Sequence, residues 1–233
     1  MLAQTNKYQR IQQIANEILM AISSKIVVGK TEPELVNDCL QLIDQYGIDE
    51  FWYHNTPVII AIGKDTLLSF SGKDYSPKEN IIQLHDLVTI DLSIALDNHW
   101  GVRAQSFFIE NNAIQISNPK NLEFKNLKEI TQDLHDFLID IARPNMTYHD
   151  LYEAINKKVK SMEVCHLDFR GNFGHSIEKN LSDRLYIMPN NHITIGNETL
   201  FSFEPHICLM NGKWGFKDAD IYYFNNHRAC KVY

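Results

Sequence analysis

Apolar residues near the start of the chain recur every three or four positions, and this spacing predicts a helix over residues 4 to 25 through Ile11, Ile14, Ala15, Ile18, Leu19 and Ile22. A second helix is marked at both ends. Thr31 and Glu34 make a capping box, Pro33 sits in the first turn, Leu35, Cys39, Leu42, Ile43 and Tyr46 form the apolar stripe, and Gly47 stands at the stop position. The period then shortens. Apolar, β-branched-rich runs at 58 to 62, 87 to 93 and 104 to 109, each ended by turn residues, predict strands of one sheet. From Pro119 the helical period returns through Leu127, Ile130, Leu134, Phe137, Leu138 and Ile141, until Arg143-Pro144 stops it. Thr147 with Asp150 caps a further helix, whose stripe is Leu151, Ile155, Val159 and Met162. Late strands are expected at 200 to 204 and 220 to 224, and turns at Asn111-Asn112, Asn190-Asn191 and Asn225-Asn226.

The order is therefore helix, helix, strands, then helix, helix, strands. It predicts one α+β domain over 1–233, built from two pseudo-symmetric halves of about 1–112 and 113–233. The 233 residues, 44% hydrophobic and 22% charged, suffice for one sizeable core. The net charge of -7 and the lack of a Lys/Arg block argue against a nucleic-acid partner. No run approaches the roughly 18 apolar residues of a membrane span, and the first residues do not read as a signal peptide, so no membrane partner is expected and a cytoplasmic location is. Cys39, Cys165, Cys208 and Cys230 form no CxxC pair and read as reduced, mostly buried thiols. Ten histidines make a metal site the first chemistry to look for.

Three segments place metal-type ligands at strand ends or beside glycines. They are Val88-Thr89-Ile90-Asp91-Leu92-Ser93, Gly171-Asn172-Phe173-Gly174-His175-Ser176-Ile177-Glu178 and Phe201-Ser202-Phe203-Glu204-Pro205-His206. A carboxylate in an apolar strand faces solvent, or faces inward at a cost that pairing or a cation must offset. Taken singly, Asp91 reads equally well as a solvent-side strand residue and His175 as a hydrogen-bonded core histidine.

Taken together and in this order, the segments resemble the pita-bread peptidase family of methionine aminopeptidase, Xaa-Pro aminopeptidase (aminopeptidase P) and creatinase. The resemblance covers nearly the whole chain, and Gly174-His175 and Glu204-Pro205 are its most specific words. It implies a pita-bread fold with a central curved antiparallel sheet. It also implies a site in which five residues hold two divalent ions that generate hydroxide and polarise the scissile carbonyl.

Matched position by position, Asp91, His175 and Glu204 fill three of the five places. The other two fall on Val102 and Ala219, where the family has the carboxylates that bridge the ions. The neighbours Asp218, Asp220 and Arg103 have the wrong strand parity to replace them. The family's auxiliary histidines are absent too, from Leu68-Ser69-Phe70-Ser71-Gly72 and from the place of Ser182. Two ions roughly 3.5 Å apart without bridging carboxylates repel each other uncompensated.

The expectation is thus a divergent member with an incomplete metal site. Asp91, His175 and Glu204 are read as the remnant catalytic and metal set, holding at most one divalent ion, with Glu178, Asp183 and His206 lining the same pocket. Such a protein is expected to be a hydrolase-like enzyme on a small amino-acid-derived or amide-type, peptide-like substrate, using one metal or none. Creatinase implies that the family permits metal-independent cleavage of a C–N bond. The alternative is a non-catalytic pseudo-peptidase used as a binding module. A homodimer is compatible with either, and Phe51-Trp52-Tyr53-His54 reads as a core corner or subunit contact rather than a substrate wall. Tyr222, Tyr223 and Phe224 read as sheet packing.

Overall fold

A computed structural model describes residues 2–111, 113–115 and 118–232. Its first half runs α1 (Leu2–Ser23), α2 (Glu32–Gln45), β1 (Glu50–Phe51), β2 (Val58–Ile62), β3 (His85–Leu92), β4 (Ile94–Leu96), β5 (His99–Trp100), β6 (Arg103–Glu110) and β7 (Ala113–Gln115). The second repeats the order with α3 (Leu122–Ile141), α4 (Tyr148–Ser161), β8 (Val164–His166), β9 (Phe201–Phe203), β10 (His206–Leu209), β11 (Gly215–Lys217), β12 (Asp220–Asn225) and β13 (Arg228–Lys231). The predicted turn at Asn111-Asn112 falls partly on Asn112, which lies outside the described residues.

Local chemistry explains the boundaries. Thr31 and Thr147 each close a capping box, with Glu34 and Asp150, and Asn121 accepts from the backbone N–H groups of Glu123 and Phe124 to start α3. Gly47 follows α2 at φ +68, a left-handed geometry that favours glycine.

Every strand pairing is antiparallel. β2-β3-β6-β7 form one sheet and β13-β12-β9 another, and Ala104 and Ala219 exchange backbone hydrogen bonds of 3.4 and 3.1 Å between them. Two smaller sheets, β1-β4-β5 and β11-β10-β8, flank this seam.

Strand alternation divides the core. Val88, Ile90 and Leu92 of β3 join the cluster under α1 and α2, while Leu87 faces the cluster under α3 and α4 with Phe108 and Tyr222. Ile221 and Tyr222 divide in the same way on β12. Asp91 therefore projects to the face opposite Ile90, between the halves, where the family resemblance placed the site. No helix among the described residues is long and apolar enough to cross a membrane.

Candidate functional site

The two halves meet at a pocket lined by, among others, Asp91, Val102, His175, Glu204 and Lys217. Gly174 sets the geometry of its second-half wall. Its φ is +140, and a Cβ there would lie 2.2 Å from the Ser202 carbonyl oxygen, so only glycine lets this segment lie against β9. The contact is ladder-like. Ser202 N–H donates to the His175 carbonyl at 2.7 Å, and Glu204 N–H donates to the Phe173 carbonyl at 2.9 Å, so His175 and Glu204 emerge side by side.

His175 Nδ1–H donates to the Ser176 carbonyl at 2.9 Å, which leaves Nε2 as a bare acceptor in the pocket. Nε2 lies 3.3 Å from Glu204 Oε1 and 3.4 Å from the Arg184 guanidinium. Burial, reinforced by the Arg184 and Lys217 charges and opposed by Glu204, lowers the His175 pKa to about 4. The imidazole is thus neutral near pH 7. Burial resists ionisation of Glu204, but Lys217, His175 and a 2.6 Å hydrogen bond from Ser202 together hold its carboxyl below the ordinary value.

Lys217 brings a positive charge between two of the pocket's carboxylates. Its Nζ lies 2.5 Å from Asp91 Oδ2 and 3.6 Å from Glu204 Oε2, drawing in one carboxylate from each half. Burial disfavours the ammonium, but Asp91 and Glu204 outweigh it and the Lys217 pKa is raised. Ser106 fixes the position, accepting from Lys217 N–H at 2.9 Å and donating to its carbonyl at 3.0 Å.

The residues expected at the site divide into two groups. Asp91, His175 and Glu204 line the one pocket, but Asp91 is turned to Lys217 rather than to His175. Val102 also lines it, 1% exposed, and Ala219 is fully buried at the seam. Asp218 and Asp220 are held elsewhere, both by Arg103, and Asp220 also by Lys231 at 2.7 Å.

Three expected pocket residues are corrected. Asp183 is exposed and accepts hydrogen bonds from Asn180 and Ser182 on the outer surface. Glu178 is not among the pocket-lining residues, because side chains alternate along the extended stretch that starts at His175. His206 lines an adjoining cavity that shares Asp91 and Lys217, and its Nε2 bonds to the Thr66 carbonyl at 2.7 Å. Burial takes the His206 pKa down to about 3.

In the aromatic segment, Phe51 and Trp52 pack against the first-half core as expected, and the segment also reaches the pocket. Trp52 and Tyr53 are walls of the pocket; Trp52 stacks on Trp100 at 5.1 Å and meets His175 edge-on at 5.6 Å. Cys165 is exposed rather than buried and pairs in register with Cys208 across β8 and β10. Sequence reasoning missed Lys217, Arg170, Arg184 and Tyr186. Lys217 had a signal, since it stands two residues before Ala219 and so shares its strand parity.

The family model of metallopeptidase family M24 matches residues 6–225, and the chain belongs to that family. Among solved structures, X-Pro aminopeptidase from Thermotoga maritima MSB8 superposes with TM-score 0.81 at 16% identity, over 100% of this chain and 61% of that one. Prolidase from Pyrococcus furiosus gives 0.78 at 18% identity, over 97% and 62%. Methionine aminopeptidase from Thermotoga maritima gives 0.78 at 13%, over 100% and 97%. The chain thus spans about three fifths of the length of the first two, and these likenesses establish the shared pita-bread fold. No curated protein matches the sequence.

Family M24 normally binds divalent metals, and the donor set here does not fit them. Among the described residues no group of three or more His, Cys, Asp or Glu converges on a metal position. Val102 presents carbon to the pocket, the Lys217 ammonium sits between Asp91 and Glu204, and the Arg184 guanidinium approaches the His175 lone pair. A divalent ion would meet two fixed positive charges at close range.

Proposed function

We propose that this chain is a metal-independent family member that binds a small amino-acid-derived or amide-type molecule in the central pocket and acts on it in a hydrolase-like manner. The observation that carries the proposal is Lys217, whose ammonium lies between Asp91 and Glu204 and supplies in covalent form the positive charge those carboxylates require. His175 is the acid–base group. Its Nε2 is unprotonated and faces the pocket, so it can take a proton from a bound water or substrate N–H, and Glu204 at 3.3 Å stabilises the imidazolium that results. Trp52 and Tyr53 supply apolar wall for the ligand.

A second reading, a non-catalytic binding module, is favoured by one observation. Asp91 and Glu204 already have partners within the protein, so neither is free to activate water. One experiment separates the readings. The purified chain is screened against dipeptides, N-acylated amino acids and ureido acids, with and without chelator, beside His175→Gln. Turnover that survives chelator and disappears in His175→Gln supports the enzyme; saturable binding without turnover supports the module. Turnover that requires an added divalent ion overturns both.

A further inference from the structure

Cys165 of β8 and Cys208 of β10 stand directly opposite each other. The pairs on either side fix the kind of register. Leu167 N–H donates to the His206 carbonyl at 2.8 Å and Met210 N–H donates to the Glu163 carbonyl at 3.3 Å, each between opposed residues two positions from the cysteines. Antiparallel pairs alternate in type, so Cys165 and Cys208 are also a hydrogen-bonded pair, with Cα atoms about 5.5 Å apart and side chains on one face. That separation lies inside the roughly 4.4–6.8 Å that a disulfide spans. The two thiols differ in access. Cys165 is exposed, and its Sγ–H donates to Met210 Sδ at 3.4 Å. Cys208 is 8% exposed, and burial, with the Cys165 thiol beside it, pushes its pKa up to about 11.

We propose that Cys165 and Cys208 are a reversible disulfide site, oxidised by a small-molecule disulfide of the glutathione type. Exposed Cys165, as its thiolate, attacks one sulfur of that disulfide, which releases one small thiolate and leaves a mixed disulfide on Cys165. Cys208 then gives up its proton and attacks Cys165 Sγ, releasing the second small thiolate. Two protein thiols are oxidised, one small disulfide is reduced, and the two protons lost by the cysteines end on the two released thiolates. The bond is easily reopened, because opposed Cβ atoms about 4.5–5.5 Å apart must close to about 3.8 Å, and a strained disulfide is more reducible. Closure also acts on the pocket. The chain between the cysteines, residues 166–207, carries Asp168, His175, Arg184 and Glu204, so oxidation ties both ends of the second-half wall together.

The test equilibrates the reduced full chain in glutathione buffers of rising oxidised fraction, followed by alkylation, intact mass and peptide mapping. Wild type is compared with Cys165→Ser and Cys208→Ser, after denaturation curves confirm that each variant folds. Wild type is expected to lose two of its four alkylatable thiols and to yield a peptide linking Cys165 to Cys208, and excess reduced glutathione should return both thiols. Cys208→Ser should stop with one glutathione on Cys165, and Cys165→Ser should keep the Cys208 thiol free. Hydrogen exchange across 166–207 should slow severalfold in oxidised wild type and in neither variant. Both thiols still alkylatable in the most oxidising buffer, a wild type that stops at the mixed disulfide, or a link from either residue to Cys39 or Cys230 overturns the site. A link that excess reduced glutathione does not open overturns its reversibility, and unchanged exchange across 166–207 overturns its hold on the pocket wall.

Discussion

Lys217 reaches Asp91 from the opposite half of the molecule, Nζ to Oδ2 at 2.5 Å, in a chain whose family normally binds divalent metals. The ammonium is compact and has three donors, and two carboxylates already surround it. It offsets their charge but offers no open coordination position.

Removing Lys217 should therefore be costly. Lys217→Met leaves Asp91 and Glu204 without their shared cation, and unfolding by urea is expected to show a loss of about 2–4 kcal/mol. Lys217→Met combined with Asp91→Asn should recover much of that loss, because one of the two unpaired charges has gone. Additive losses in the double variant would show that the pair is not coupled.

A second set of charges holds the seam. Arg103 is 9% exposed at its side chain, bonds to Asp218, lies 3.6 Å from Asp220 and donates to Asn16 at 2.8 Å. Arg103→Met takes the cation from Asp218 and leaves Asp220 to Lys231 alone, and should cost about 3–5 kcal/mol by the same denaturation assay. Arg103→Lys should recover only part, since a point charge cannot make the several hydrogen bonds of the planar fork.

Gly174 admits no side chain. Gly174→Ala would bring a Cβ to 2.2 Å from the Ser202 carbonyl at φ +140, so the loop must leave β9. Stability is expected to fall by roughly 2 kcal/mol or more. Ligand binding should weaken as well, because His175 and Glu204 lose their common anchor. Unchanged stability and affinity would refute the close approach.

Acid sensitivity follows from buried neutral histidines. His166 stacks on Phe173 at 4.0 Å, and burial lowers its pKa to about 4. The unfolded chain takes up that proton near pH 6.5 and the folded chain does not until about 4, so stability is full above pH 6.5 and falls on acidification. The slope contributed is about 1.4 kcal/mol per pH unit inside that window. His166→Phe keeps the stacking and should flatten the stability profile between pH 6.5 and 4 by that amount; a profile identical to wild type would contradict the assignment.

Helix ends and central strands were legible because their signals are local. The Thr31-Glu34 and Thr147-Asp150 boxes fix α2 and α4, and β2 coincides with the apolar run before Gly63. The short strands β1, β4 and β5 were not, since two or three residues carry no period and pair only once the sheets assemble. At the site, Asp91, His175 and Glu204 were legible from their segments, and the structure places all three in one pocket. Arg184 and Trp52 were not, because their roles come from long-range contacts, as when Trp52 meets His175 across the two halves; Lys217 offered only its parity with Ala219, since its partner Asp91 lies 126 positions away. Asp183 was misread because its sequence neighbourhood resembles a pocket segment, while its side chain is committed to Asn180 and Ser182 outside it.

Whether Lys217 stands in for bound metal is decided by elemental analysis. The chain is purified without chelator, incubated with excess manganese, cobalt or zinc, desalted and assayed, with melting curves recorded before and after. With Lys217 in that place, no stoichiometric metal is retained and the melting temperature does not shift, because an ion that bound the folded state alone would raise it. One or two ions retained per chain, with a higher melting temperature, would contradict that role.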